Sequence, residues 1–233
     1  MTSPDEMGGL PSLVTRLRAA GGTAALCSRC HERIPSVSGV GLTVFVSRAR
    51  RFVLGTSGLL IDRVEDLQIR LDEGPCVEAF TSRQPVLVEH LADQDARQRW
   101  PRFADEALRA GVAAVFTFPV LAEDQPVAVL DLCRSSPGPL PGTAYAQATT
   151  FAAAASTLLV DDLNGGASAG ATVSLSAARV QQATGMVMGQ ATTGAADALH
   201  QLRDHATHRD VSLAVVVDEV LAGMLRFDTP RAS

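Results

Sequence analysis

A short segment of Gly, Ala and Ser, NGGASAG at 164–170, constrains the architecture of this 233-residue chain more than any other feature. It contains no large apolar side chain, and segments of this composition act as flexible linkers. The residue pattern before it is mixed, and the pattern after it is purely helical. We therefore predict two domains, 1–163 and 172–233, joined by a flexible linker over 164–171.

The first domain is predicted to be α/β with a central antiparallel sheet. The stretches SGVGLTVFVS (38–47) and RRFVLGTS (50–57) are rich in β-branched and aromatic residues, which predicts two neighbouring antiparallel strands. Further strands are predicted over 86–90, 112–120 and 126–134, the last two joined as a hairpin. Apolar periodicity or a high alanine content predicts helices around the strands, over residues 10–30, 59–70, 99–110 and 143–163. The Gly21–Gly22 pair is a candidate break that would divide the first of these helices into two pieces.

The second domain is predicted to be a bundle of three amphipathic helices. The first helix covers 174–190, and the other two start near Thr193 and at Ser212, which are plausible N-cap residues. Short turns between amphipathic helices are typical of small bundles.

The charge pattern excludes several function classes. The net charge is −5, so any binding of nucleic acid must come from a local site and not from overall charge. All 20 basic residues are Arg, which excludes a Schiff-base lysine and a Walker-type phosphate loop. No basic start with an apolar run opens the chain and no stretch is long enough for a membrane span, so we expect a cytoplasmic protein without membrane contact.

No set of side chains for catalysis is evident. The neighbouring acids at 161–162 and 218–219 point in different directions on a helix, which makes them poor acid–base pairs. The motif CSRCH (27–31) spells a haem attachment site, but that chemistry needs export, and no second ligand pair for zinc is present. We predict no catalytic residues, no metal and no cofactor. A small-molecule enzyme on the α/β domain is the least favoured function.

Residues from about 20 to 160 resemble a GAF domain, an α/β fold that senses ligands and signals. The resemblance is carried by LQIRLDEGPCVEA (67–79), GVAAVFTFPV (111–120) and PVAVLDLCRSSPGPL (126–140). It implies a ligand pocket between the sheet and residues 60–110. The Asn-Lys-Phe-Asp-Glu pattern of cyclic-nucleotide-binding members is not intact in a chain without Lys, so the ligand stays unknown.

Five side chains are candidates for contact with this ligand: Cys76, Trp100, Phe103, Phe116 and Phe118. Cys76 follows the Gly74–Pro75 turn at the start of a short helix, where the helix N-terminus lowers the pKa of a thiol and favours redox sensing. The adjacent acids oppose that effect, and a small apolar residue in the core is the alternative. Phe116 and Phe118 share one face of their strand, so both are also candidates for the core.

Residues from about 172 to 227 resemble an ANTAR domain, an RNA-binding antiterminator module. ARVQQATGMVM (178–188) and AADALHQLRDHATHRDVSLAVVVDEVL (195–221) carry this resemblance. The order GAF then ANTAR is found in actinobacterial regulators. It implies that a signal changes the dimeric arrangement of the helical domains, which then bind hairpins in nascent mRNA and prevent a terminator from forming. Many ANTAR domains place Lys where this chain has Thr184.

Six residues are candidates for RNA contact: Arg179, Gln182, Thr184, Gly185, Arg203 and Arg209. The helical domain has five Arg and six acidic residues, so a phosphate-binding face must come from clustering. Gly185 favours close approach either of RNA or of a neighbouring helix within the bundle. An ordinary solvated helix face is the alternative for the whole set.

A protein-interaction adaptor is the alternative function, in which the helical domain docks on a regulatory partner without RNA contact. A continuous positive face on this domain favours RNA, and an exposed apolar patch favours a protein partner. The Ala-rich helix over 143–163 predicts a homodimer, because small side chains allow two helices to pack closely.

Overall fold

The computed structural model describes residues 9–47, 50–164, 169–209, 211 and 213–227. The chain divides into two compact units, Met1–Gly165 and Gly166–Ser233. The predicted linker over 164–171 is helical at both of its ends, because one helix ends at Asn164 and the next begins at Ala169. Alanine, the residue with the highest helix propensity, occupies positions 169 and 171, which favours this early start. No described helix is both long and apolar enough to cross a lipid bilayer.

The first unit contains seven helices and five strands among its described residues. In chain order these are α1 (Leu10–Ala19), α2 (Thr23–Arg33), β1 (Gly39–Ser47), β2 (Arg50–Ser57), α3 (Leu59–Leu71), α4 (Pro75–Ser82), β3 (Val86–Val88), α5 (Gln94–Arg99), α6 (Pro101–Arg109), β4 (Ala114–Ala122), β5 (Gln125–Arg134) and α7 (Gly142–Asn164).

These strands form one antiparallel sheet with the order β2-β1-β5-β4-β3. The predicted hairpins β1–β2 and β4–β5 are confirmed, and so is the central antiparallel sheet. β5 lies between β1 and β4, so Asp131 on β5 has Gly41 as its partner on one side and Thr117 on the other. This register places the middle of β5 at the centre of the unit.

Glycine and proline determine where helices end in this unit. The break at Gly21–Gly22 in the helix predicted over 10–30 is confirmed: φ is +115° and +67° there, conformations that glycine adopts without strain. The helix predicted over 99–110 is observed as α6, and α5 is a separate helix that was not predicted and ends before Trp100, whose φ and ψ are −137° and 70°. The residue before a proline is disfavoured in the helical region, and Pro101 follows Trp100.

The sheet separates two helical layers. The α1, α2 and α7 layer covers the face that carries Phe116, Phe118 and Leu130, and α3 to α6 cover the face that carries Val115 and Cys133. Alternation along β4 explains this division, because successive side chains of a strand point to opposite faces.

The small side chains of α7 lie inside the unit. Ala148, Ala152 and Ala155 are buried in the same apolar cluster as Phe151 and Phe118. They allow α7 to pack closely on the sheet and on the other two helices of its layer. The alanine content of this helix is therefore used in the core, and it no longer argues for the predicted homodimer.

The second unit contains α8 (Ala169–Ala191), α9 (Ala195–Arg209) and α10 (Leu213–Leu221). All three contact one another around an apolar cluster. Its buried members are Ala183, Val187, Ala198, Leu202, Ala206, Val216, Val217 and Val220. Ser212, the predicted N-cap of the third helix, lies outside the described residues.

Helix α3 lies unusually close to β1, and Gly39 makes this approach possible. A Cβ atom at position 39 would lie 2.8 Å from Cβ of Ile61 and 3.1 Å from its backbone nitrogen. Real Cβ atoms do not approach other carbons so closely, so any larger residue must move the helix away from the sheet.

We expect Gly39→Ala to lower the free energy of unfolding of the first unit by about 1–3 kcal/mol, the usual cost of overpacking a core. Gly55→Ala on β2 is a matched control, because its nearest contact would be the Cys27 sulfur at an ordinary 3.9 Å. Urea denaturation followed by the fluorescence of Trp100, the single tryptophan, measures both. Equal stability of the two variants would contradict the packing argument.

Candidate functional site

A group of polar side chains is buried between the sheet and helices α3 and α4. We call it the polar cluster. Its members come from three strands and two helices and are at most 2% exposed: Thr43, Glu65, Gln68, Cys76, Thr117 and Asp131. Polar groups are buried in proteins only where other polar groups satisfy them, so the contacts within the cluster decide what it can do.

Asp131 is the centre of the polar cluster. The Thr117 hydroxyl donates a hydrogen bond to its Oδ1 at 2.6 Å, and the Gln68 amide donates to its Oδ2 at 3.4 Å. The Cys76 thiol and the Glu65 carboxyl lie beside Asp131 and also lower its pKa. A carboxylate with this many donors is stabilised in its ionised form even though it is removed from water.

Glu65 lies beside Asp131 because the β1 residue next to its carboxyl group is a glycine, Gly41. A Cβ atom at position 41 would overlap the Glu65 Oε1 atom, and Gly41 is the β1 partner of Asp131. The Thr43 hydroxyl donates to Oε2 of Glu65 at 2.9 Å. The glycine thus provides the space in which a helix carboxyl lies against a strand carboxyl.

The two carboxyls cannot both be ionised at little cost. Burial raises the pKa of Glu65 well above its usual value, and the charge of Asp131 raises it further. Burial also raises the pKa of Asp131, to about 6, while the hydrogen bonds that it accepts oppose the increase. Like charges in a shared buried site keep one proton between them. Glu65 therefore holds this proton, and its Oε1 atom has no hydrogen-bond partner among the described residues.

Gln68 connects the polar cluster to the start of α4. Its side-chain Oε1 accepts a hydrogen bond from the Cys76 backbone N–H at 2.8 Å, and its backbone carbonyl oxygen accepts one from Arg51 at 2.6 Å. The same guanidinium bonds Asp72 at 2.7 Å. Strand β2, helix α3 and helix α4 are therefore held around the carboxyl pair by one continuous network.

The Cys76 thiol is not activated by its position at the helix N-terminus. Burial raises its pKa, and the negative charge of the Asp131–Glu65 pair raises it further. The thiol therefore stays protonated in this state, packed beside Phe45 and Val129. Its contact with a ligand stays a prediction.

The structure does not bring the five predicted ligand contacts into one pocket. Trp100 and Phe103 pack on the α3 to α6 side of the sheet, as the prediction requires. Phe116 and Phe118 face the α1, α2 and α7 layer, and Phe118 packs against Tyr145 with ring centroids 5.3 Å apart. The prediction that these two share one face is confirmed, but the alternation of β4 directs that face away from the other three residues.

Sequence reasoning missed the carboxyl pair. Asp131 is the single charged side chain in the apolar run PVAVLDLC, which is the signal that pointed to it. Glu65 and Gln68 lie three residues apart on the face of α3 that also buries Ile61 and Val64. Asp62 and Asp66 surround them in sequence, so pattern alone does not show which acid faces the sheet.

The predicted RNA contacts in the second unit have different surroundings. Arg179 is half exposed and ion-paired with Asp218, and Arg209 is ion-paired with Glu219, with one N–O distance of 3.0 Å. Gln182 is exposed on α8. The side chain of Arg203 lies outside the described part of the structure.

Thr184 and Gly185 differ sharply from each other. Thr184 is buried and its hydroxyl donates to the Val180 carbonyl at 2.7 Å, because positions 180, 184 and 187 lie on the inner face of α8. It does not occupy the surface position that the prediction gave it. Gly185 is exposed, and a Cβ atom there would meet no atom within 4 Å. Tight packing inside the unit is therefore not the reason for this glycine.

The carboxyl pair makes stability depend on pH, and Glu65→Gln tests this. Glu65 keeps a proton in the folded state that the unfolded chain loses, so the free energy of unfolding falls as pH rises, by at most about 1.4 kcal/mol per pH unit for one proton. Gln does not titrate. We expect the variant to lose the part of the slope that Glu65 contributes above the ordinary pKa of a glutamate, to keep the part that Asp131 contributes below about pH 6, and to exceed the parent in stability at high pH.

Urea denaturation at several pH values gives the slope. The exposed Glu89→Gln is the control and should keep the slope of the parent chain. An identical slope in Glu65→Gln and the parent would show that Glu65 is ionised in the folded protein.

Comparisons with known proteins identify the first unit. The family model of the GAF domain matches residues 23–160. The GAF domain of a phosphoenolpyruvate-protein phosphotransferase from Acinetobacter is similar in structure, with a TM-score of 0.54, 14% identity, and coverage of 71% of this chain and 98% of that chain. A GAF domain of the same kind of protein from Coxiella burnetii has a TM-score of 0.50 and 12% identity and covers 68% and 97% of the two chains.

No curated protein matches the chain significantly. At this level of identity, the solved structures show the fold of the first unit and nothing finer. The family model, however, matches more than half of the chain. Together with the antiparallel sheet and its two helical layers, this match shows that the chain belongs to the GAF domain family.

Proposed function

We propose that this chain is a signal-responsive transcription regulator without catalytic activity. GAF domains are signal-sensing modules. In this proposal the first unit receives a small-molecule or redox signal, and the second unit binds hairpins in nascent mRNA and so prevents termination. The resemblance of residues 178–188 and 195–221 to an ANTAR domain supports the second part.

The polar cluster supports the sensing part. Buried ionisable groups with strongly raised pKa values are typical of functional sites, since they lower stability and are retained for another reason. A ligand that enters beside Asp131 and Glu65 would meet several donors and acceptors already in place. The proton held by Glu65 gives such a site two charge states.

The exposed face of α8 is the observation that carries the RNA part. Gln182 and Gly185 lie on this face, and the space beside Gly185 is open. An exposed glycine inside a helix costs about 1 kcal/mol relative to alanine, and it allows another backbone to come close. Side-chain amides such as that of Gln182 bond to base edges in single-stranded RNA loops.

The ion pairs of Arg179 and Arg209 do not prevent phosphate binding. Both pairs are exposed, and exposed pairs contribute about 0–1 kcal/mol. The side-chain exposures are 49% and 60% for Arg179 and Asp218, and 41% and 23% for Arg209 and Glu219. Either guanidinium is therefore able to exchange its carboxylate for a phosphate at low cost.

A protein-interaction adaptor is the second candidate, and exposed apolar side chains in the same unit favour it. Met188 is 37% exposed, Val215 is 42% exposed and Met224 is 76% exposed. The acids beside Arg179 and Arg209 also prevent a continuous positive face in the described part of this unit. In this alternative, a regulatory partner docks on the unit and RNA is not contacted.

Removing the acids separates the two candidates. Asp218→Asn and Glu219→Gln release Arg179 and Arg209, so we expect each variant to bind RNA hairpins about 2–5-fold more tightly and to show a steeper salt dependence. Arg179→Gln and Arg203→Ala should weaken binding. Titration of a pool of labelled hairpins at several salt concentrations, with the full chain, measures these effects.

Asp161→Asn is the matched control, because it releases Arg18 from an exposed ion pair in the first unit. It should leave hairpin binding unchanged. If the full chain does not bind RNA hairpins, or if its affinity is the same in the variants at 179, 203, 218 and 219, the result would contradict the RNA part and favour the adaptor.

A further inference from the structure

A cleft opens on the side of the sheet opposite the polar cluster. It lies among α1, α2 and α7 and has a volume of about 660 Å³. Pockets for small ligands typically measure about 300–1,000 Å³. The walls belong to one unit, and residues of all three helices contribute to them.

The floor of the cleft is apolar. Leu13 and Leu17 of α1 and Phe151 of α7 line it. These side chains are at most 7% exposed and belong to the apolar cluster of this layer. Little of their surface is accessible, so most of the carbon that a ligand can contact belongs to Ala20 and to the methylene stems of the arginines in the lining.

The rim of the cleft is basic. Arg16, Arg29 and Arg33 line it together with Glu32. Glu32 pairs with Arg29 at 2.9 Å, and Arg16 donates to the neutral Ser12 hydroxyl at 2.7 Å. Among the described residues, no carboxylate lies within ion-pair distance of Arg16 or Arg33. Two guanidinium charges thus remain uncompensated above an apolar floor.

We propose that this cleft binds a small amphiphilic anion. Its apolar body packs on Ala20, on the accessible edge of Leu13 and on the methylene stems of the arginines, and its carboxylate, sulfonate or phosphate head lies between Arg16 and Arg33. Guanidinium groups bind such heads with two parallel hydrogen bonds, which gives both affinity and orientation. The site is separate from the polar cluster, because the sheet lies between them, and it does not depend on the proposed function.

Fluorescence of 8-anilinonaphthalene-1-sulfonate tests the proposal, since this probe combines an aromatic body with a sulfonate. The full chain is titrated with the probe and then with decanoate, decanol or decyltrimethylammonium as competitors, all below their micelle concentrations. We expect decanoate to displace the probe, decanol to displace it weakly and the cation not to displace it. Equal displacement by all three would overturn the anion specificity.

Two variants locate the site. Arg16→Gln and Arg33→Gln should each weaken probe binding about 10–100-fold, which corresponds to the loss of one charge-assisted hydrogen bond. Arg16→Lys keeps the charge and should retain part of the affinity. Both arginines are exposed, so folding is preserved, and circular dichroism verifies this.

Two controls complete the design. Arg109→Gln removes an exposed guanidinium at the end of α6, on the other side of the sheet, and should leave probe binding unchanged. Glu65→Gln alters the polar cluster and should also have no effect. Unchanged affinity in both Arg16→Gln and Arg33→Gln would overturn the proposal and place the probe elsewhere.

Discussion

The close approach of α3 to β1 is the constraint on which the first unit depends. Two glycines on β1, Gly39 and Gly41, remove the side chains that would hold the helix away. The helix then buries Glu65 against Asp131, and burial forces this pair to share a proton. Local backbone geometry thus determines the protonation state at the centre of the unit. A larger residue at position 41 would remove both the contact and its electrostatic consequence.

The sheet gives its two faces different chemistry. One face carries hydroxyl, amide and carboxyl groups that satisfy one another beneath α3 and α4. The other carries an almost purely apolar layer that ends at a basic rim between α1 and α2. Because strand side chains alternate, a single strand such as β4 supplies Thr117 to the first face and Phe116 and Phe118 to the second. The two faces of the sheet therefore differ in polarity and charge.

The second unit uses charge in a different way from a typical nucleic-acid-binding domain. Two of its described arginines, at 179 and 209, are matched by acids on α10, so their attraction for a polyanion would depend on exchange of these ion pairs. The space beside Gly185 is open, so a partner backbone could approach α8 closely there, and the exposed Met188 offers an apolar contact. An RNA ligand and a protein partner would compete for the same small area. The balance of charge and apolar exposure on this face is therefore what separates the two candidate functions.

Periodicity in the sequence determined the strands, their hairpins, the boundary near Gly165 and the three helices that follow it, because these features depend on residues close together in the chain. Periodicity did not predict the polar cluster. Thr43, Glu65, Thr117 and Asp131 are distant in sequence, and neighbouring acids on α3 are equivalent until packing selects one. Periodicity likewise did not predict that Thr184 is buried or that the alanines of α7 pack inside the first unit. Only the tertiary structure decides which face of a helix is buried and which ionisable side chains are removed from water. Both depend on segments that are distant in sequence and pack against these side chains.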